Sequence, residues 1–419
     1  MPADNEPQMI FSAHPKIYKS ENSTLFVKKI TLSNGVRIFF KKTSSPTACV
    51  MATVTVGSAD EKKTESGYSH FIEHLLFEGT KTRTNFQIAN EIEKIGGELN
   101  GATSGDRTIY YAKVPKKYTQ KAADIISDIL VNPSFSEKTF RKEKTVILSE
   151  IDLFYDDPKL HQWQILERNL FSSALKNPTA GTKESIKKCT REKLFTYYKK
   201  HYRAENMIVL VTGKFGRLDF SELLKIKRGG SKQAIKEKPA KRNLKCTEKR
   251  KINQSYVLRG FKVPKKCTKE SAVFDLIQAV LGRGASGKIF DEIRNKRGLG
   301  YSVGVFHESG MHSGLFSVAV STKKDNINQV EQIITDEIIK LKNLSAKELS
   351  EAKKYLLGKL EMDSEDTKAL ADHISSFIAC SSEKMLIKYK KTIKNITNLD
   401  VKRALSHLKY GVTAVIAQK

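Results

Sequence analysis

Cysteine is scarce and scattered. The 419-residue chain has five, Cys49, Cys189, Cys246, Cys267 and Cys380, odd in number and never in a C-x-x-C pair. That spacing excludes a cysteine-held metal centre and argues against a disulfide framework in a chain of this size. Long apolar runs are missing too. No window approaches the roughly eighteen consecutive apolar residues that a membrane-spanning helix needs. The leading segment MPADNEPQMIFSAHPKIYKS is polar and carries acids. It lacks both the charged-then-apolar layout of a secretory signal and the Arg-rich amphipathic pattern of a transit peptide. The expected location is therefore cytoplasmic, or the matrix of a mitochondrion or related organelle if the source is a eukaryote. Acids are outnumbered: 46 Asp and Glu against 74 Lys and Arg leave a formal net charge of +28. Such a balance raises nucleic-acid binding. The bases are mostly Lys and run through the whole chain, however, and the densest stretch, residues 225–251, has no aromatic residue to stack on a base. It reads as a solvated linker, and nucleic acid is not the expected partner.

The length suits two domains, and a hydrophobic content of 39% is enough for a packed core in each. The expected division is an N-terminal extension, 1–24; a first α+β domain, 25–224; a basic linker, 225–250; and a second α+β domain, 251–419. In the first domain, alternating apolar residues flank Ser33-Asn34-Gly35 and predict a hairpin. ACVMATVTVGSA predicts a buried strand. ESGYSHFIEHLLFEGT predicts a helix with Phe71, Ile72, Leu75 and Leu76 on its core side. Another helix, a strand and two amphipathic helices follow. The second domain repeats that order. SAVFDLIQAVLG stands where the first helix stood, and LSAKELSEAKKYLLGKL corresponds to FSEKTFRKEKTVILSEI. This is the pattern of a duplicated unit. The second copy lacks a His pair at the corresponding helix, so only the first can hold a metal.

His70 and His74 are i and i+4 on the predicted helix. That spacing puts two imidazoles on one face, about a turn apart, as two ligands of a tetrahedral zinc require. Glu73 lies between them, close enough to take a proton from water activated there. The pattern H-x-x-E-H is the inverted zincin motif. The later amphipathic helix offers Glu143 and Glu150, seven residues apart and so on one face. Either would complete a two-histidine, one-carboxylate set.

Four segments carry a family resemblance: GYSHFIEHLLFEGTKTR, IEKIGGELNGATSGDRTIYYAKVP, FRKEKTVILSEIDLFYDDP and LGRGASGKIFDEIRNKRGLGYSV. In this order they resemble the pitrilysin/insulinase metallopeptidases, and most closely the short-chain branch that includes bacterial and archaeal peptidases and the mitochondrial processing peptidase. The resemblance implies the processing-peptidase-like metallohydrolase fold: two homologous domains, each a mainly antiparallel sheet packed with helices. It implies one Zn2+ per chain on His70, His74 and Glu150, with Glu73 as the base and Glu143 as a carboxylate steadying a zinc-bound histidine. The stretch Glu98 to Thr103 would be an exposed strand edge that pairs with an extended peptide substrate, with Asn100 and Ala102 as substrate contacts. Relatives usually carry Ala where Gly101 stands. Arg294 and Tyr301 match the R-x6-Y pair that binds substrate and steadies the oxyanion. The implied activity is endopeptidase cleavage of unfolded or short peptides, targeting presequences among them, inside the chamber of a homodimer. A heterodimer with a zinc-less partner is the alternative assembly, and a non-catalytic or partner-dependent structural subunit the alternative function. Chains of the latter kind typically lose a His or the Glu, and here all four are present.

Overall fold

The computed structural model describes residues 16–17, 27–230, 235–380 and 383–419. The expected N-terminal extension lies outside these residues apart from 16–17.

The first sheet has seven strands: β1 (Lys16–Ile17), β2 (Lys28–Thr31), β3 (Arg37–Lys42), β4 (Thr47–Val54), β5 (Glu98–Thr103), β6 (Thr108–Pro115) and β7 (Met207–Gly213), in the order β1-β2-β3-β7-β4-β6-β5. Its pairings are antiparallel except β3 with β7. The β2–β3 hairpin turns at Ser33-Asn34-Gly35, where the Leu32 amide donates to Val36 O at 2.9 Å. Strands β4 and β7 are central because nearly every residue in them is apolar or small, and they are buried on both faces. Helices α1 (Tyr68–Phe77), α2 (Asn85–Glu93), α3 (Thr119–Val131), α4 (Glu137–Asp156), α5 (Pro158–Leu170), α6 (Lys183–Lys188) and α7 (Arg191–His201) fill the intervals.

The second sheet contains β8 (Leu244–Arg250), β9 (Ser255–Val263), β10 (Gly300–Ser309), β11 (Gly314–Thr322) and β12 (Gly411–Gln418), in the order β10-β11-β9-β12-β8. The helices in this later part of the chain are α8 (Lys269–Gly282), α9 (Lys288–Phe290), α10 (Ile327–Lys340), α11 (Ala346–Asp363), α12 (Thr367–Ala379), α13 (Glu383–Lys394) and α14 (Asn398–Ala404). Helix α9 continues as a π-helical turn over Asp291–Asn295. Read backwards, this order is β8-β12-β9-β11-β10, which matches β3-β7-β4-β6-β5 strand for strand. The parallel pair sits at the same place in both, β3 with β7 and β8 with β12. The duplication predicted from segment order is thus visible in topology, and the class is α+β with two mixed, mainly antiparallel sheets.

Two features differ from a simple division of the chain. Leu244–Arg250, inside the stretch expected as linker, is strand β8, a sheet edge with alternate residues exposed. The compact units also do not follow sequence order alone. Among the described residues, the first unit takes those up to 148, 179–230 and 363–379, and the second takes 149–178, 235–362 and those from 380 onward. Helix α12 therefore lies on the first sheet, where Thr212 Oγ1 donates to Thr367 O at 2.6 Å. Helix α5 lies on the second, where Gln162 Nε2 donates to Ala414 O at 2.9 Å. Leu166 and Leu170 of α5 pack with Leu258, Leu315 and Val412. Gly260 permits that approach, since a Cβ there would lie 2.6 Å from Leu166 Cδ2.

Candidate metal centre and active site

Helix α1 is held at three places. At its start, Gly67 adopts φ 91°, a conformation that glycine takes without strain. The carboxylate of Glu61 accepts from the Gly67 and Ser69 amides, each at 2.7 Å. This buried acid satisfies helix-end donors and sits where the helix dipole favours negative charge. Burial pushes its carboxyl up to about 8, against the two amide bonds that favour the charged form. Along its core side, Phe71, Ile72, Leu75 and Leu76 are buried to 1% exposure or less. Phe71 also stacks on Phe140 of α4, with ring centroids 5.2 Å apart. That stack sets α1 beside α4 and brings the histidines to the glutamates.

His70, His74 and Glu150 converge. One donor atom from each lies within 4.8 Å of the others, and the two imidazole centroids are 4.7 Å apart. Donors on one tetrahedral zinc lie roughly 3.3–3.5 Å apart, given its bond lengths. At most about 1.5 Å therefore remains to be taken up by side-chain rotation. The donor types, two imidazoles and a carboxylate, are those of a zinc site that keeps an open position. Burial, aided by the neighbouring His74, pushes the His70 imidazole down to about 4. It is thus neutral, the form that binds a metal.

Glu143 does something different. Its Oε2 lies 3.0 Å from His74 Nδ1, which leaves Nε2 as the ligating nitrogen of that ring. The His74 bond, with Lys142 on the other side, holds the Glu143 carboxyl below its usual range although burial opposes this. The two glutamates that share a helix face thus separate, one joining the histidines and one supporting a histidine from behind.

Glu73 is 9% exposed, and Thr103 Oγ1 donates to its Oε2 at 2.6 Å. Among the described residues, strand β5 ends the sheet and pairs with β6 alone, so no strand among them covers its outer edge. Asn100 and Ala102 occupy exposed alternate positions along it. Asn100 Oδ1 accepts from the Gly101 amide at 2.8 Å.

In the second unit, Arg294 belongs to the π-helical turn. Its guanidinium lies 4.6 Å from the Tyr301 ring centroid and donates to Tyr301 O at 3.4 Å. Tyr301 is 74% exposed and stands where the β10 register is irregular, between Gly300 and Val303. The two residues therefore form one unit with an outward phenol. Sequence reasoning did not single out Glu61, nor the π-turn. An acid six residues before a glycine carries no periodic signal, and a π-turn has no pattern distinct from the α-helical one.

Residues 37–183 match the insulinase (peptidase family M16) model, and residues 188–356 match the peptidase M16 inactive-domain model. An uncharacterized zinc protease of Rickettsia bellii is 31% identical over 80% of this chain and 83% of its own. One of Mycobacterium leprae is 32% identical over 77% and 75%. The chain belongs to the M16 peptidase family. The Bacillus subtilis relative, also named a zinc protease, is 29% identical over 89% of this chain and 91% of its own. Among solved structures, a protease from Helicobacter pylori shares the M16 fold at TM-score 0.86 and 19% identity, covering 93% of this chain and 99% of that one. A peptidase M16 inactive domain from Pseudomonas fluorescens does so at 0.84 and 18%, covering 94% and 100%. The inactive-domain match falls on the half without a His pair. No helix among the described residues is long and apolar enough to cross a membrane.

Proposed function

We propose that this M16 member is a zinc-dependent endopeptidase acting on unfolded or short peptides. The observation that carries the reading is the convergence of His70, His74 and Glu150 with a buried carboxylate, Glu73, on the same helix turn.

When bound there, zinc supplies a Lewis acid that acidifies water and polarises a carbonyl. The chain's own residues do the rest. Glu73 takes the proton of the attacking water and delivers it to the amine nitrogen as the peptide bond breaks, so one water gives one carboxylate and one amine. Glu143 fixes the His74 ring and its tautomer. The open edge of β5 holds the peptide as an added strand, with Asn100 and Ala102 on the substrate side. Main-chain pairing recognises extended chains with little sequence demand, which fits unfolded substrates. Arg294 and Tyr301 supply donors for a substrate carbonyl and its developing negative charge. Because both sets lie on one chain, the assembly proposed is a homodimer, with its mass in solution as the test.

The deciding experiment compares hydrolysis of a quenched fluorescent peptide mixture by the wild type and by Glu73→Gln, with zinc content measured in both. Cleavage by the wild type alone, at equal zinc, supports the assignment. Equal cleavage by both removes Glu73 from the mechanism, and none by either, with zinc bound, removes the peptidase reading.

A further inference from the structure

The strand proposed to receive the peptide also touches the proposed base. Along β5 the side chains alternate. Glu98, Asn100 and Ala102 are exposed, and Leu99, Gly101 and Thr103 are half-buried. The half-buried set faces α1. Thr103 Oγ1 lies 2.6 Å from Glu73 Oε2, in the short range of a hydroxyl donating to an ionised carboxylate. Two positions earlier, a Cβ on Gly101 would lie 3.1 Å from Glu73 Cγ and 3.0 Å from Phe77 Cε2. Strand β5 therefore bounds the Glu73 side chain along its stem and ties it at its tip.

Thr103 is itself fixed. It pairs with Thr108 across the hairpin. The turn that follows is closed by Ser104 N to Arg107 O at 2.8 Å and tied to the preceding loop by Ser58 N to Ser104 O at 3.1 Å. A glutamate on a helix has three rotatable torsions, and an anchored hydroxyl selects one carboxylate orientation among them.

We propose that Thr103 is a positioning residue for the reaction: its hydroxyl fixes the Glu73 carboxylate against the strand that seats the peptide, so that substrate and base share one reference frame. The proposal rests on the peptidase reading above. A general base displaced by about 1 Å loses much of its effect even when its chemistry is intact. The residue acts through Glu73 and leaves the metal ligands alone.

The test uses the full-length, zinc-loaded protein with Thr103→Val, which keeps the β-branched shape and loses the hydroxyl, and Thr103→Ser, which keeps the hydroxyl. Zinc content, kcat and KM are measured, and crystals of metal-free wild type and Thr103→Val are compared. Loss of one hydrogen bond to a charged group predicts a kcat about tenfold lower for Thr103→Val. KM should stay within about twofold and zinc content should be unchanged. Thr103→Ser should stay within about threefold of the wild-type kcat, and the Glu73 carboxylate should leave its position in the valine variant. Wild-type kcat in Thr103→Val, equal losses in both variants, a rise in KM with kcat unchanged, or an undisturbed carboxylate in the valine crystal would each overturn the proposal. A wild type that cleaves no peptide defeats the peptidase reading instead, and the crystal comparison then still decides whether Thr103 holds Glu73.

Discussion

Replacing Glu143 should weaken zinc without touching a ligand. Its carboxylate is 3.0 Å from His74 Nδ1 and its side chain is 7% exposed, so the bond is shielded from competing water. Glu143→Ala leaves the His74 N–H without its acceptor and frees the ring to turn. A hydrogen bond to a charged group contributes about 1.5–3 kcal/mol, which corresponds to a zinc affinity roughly 10- to 100-fold lower, the range seen when such supporting carboxylates are removed. Glu143→Gln retains an oxygen that can accept from the ring but loses the charge, so its loss should be smaller, about three- to tenfold. Competition with a chelator of known affinity reads both values, and the melting temperature of the metal-free variants controls for folding. If Glu143→Ala is folded and binds zinc within about twofold of the wild type, the supporting role assigned to Glu143 is wrong.

Other expectations follow from the second unit. Glu237 accepts from Lys262 Nζ at 2.6 Å and from the Ser172 and Ser173 amides at 2.6 and 3.0 Å. Burial alone would raise its carboxyl, but these partners outweigh burial and hold it at about 2. Because the folded value lies below the ordinary one of 4.5, the group stabilises above about pH 4.5 and its contribution fades between there and pH 2. Glu237→Gln should therefore cost about 2–3 kcal/mol at pH 7 and much less near pH 3, read from urea midpoints at both values. A constant difference would contradict the assignment. Leu166→Ala should cost about 3 kcal/mol by opening a cavity under α5, and Gly260→Ala about 1–3 kcal/mol by overpacking the same spot. The double variant should cost less than the two losses added together, since the new methyl group enters the space vacated by Leu166. Strict additivity in thermal unfolding would show that the two residues do not meet.

What the sequence revealed depended on how local the cause was. The helix carrying His70, Glu73 and His74 announces itself by apolar residues at helical spacing, and the repeat of segment order already implied two sheets with one topology. Strand β8 was read as linker because one face of an edge strand meets water. Lys245, Thr247 and Lys249 outweigh Leu244 and Cys246 in any composition-based reading. The placement of α5 and α12 was invisible because amphipathic periodicity tells a helix which side to bury, never which sheet to bury it on. At the site, spacing placed Glu143 and Glu150 on one face but left their roles open. The family resemblance supplied those roles, and the geometry puts Glu143 on the His74 Nδ1 and Glu150 among the donors. Glu61 and the Thr103–Glu73 bond join segments by tertiary contact, and no pattern in the chain predicts such pairs.

The mechanism turns on one zinc, held by His70, His74 and Glu150, that makes Glu73 a working base. Its most direct test is to strip the protein of metal, add zinc back in steps, and follow peptide cleavage in the wild type and Glu73→Gln. Wild-type activity should rise linearly and break at one zinc per chain, while Glu73→Gln binds the same single equivalent and stays inactive. Activity that persists without metal, or that rises equally in the Glu73→Gln protein, would contradict it.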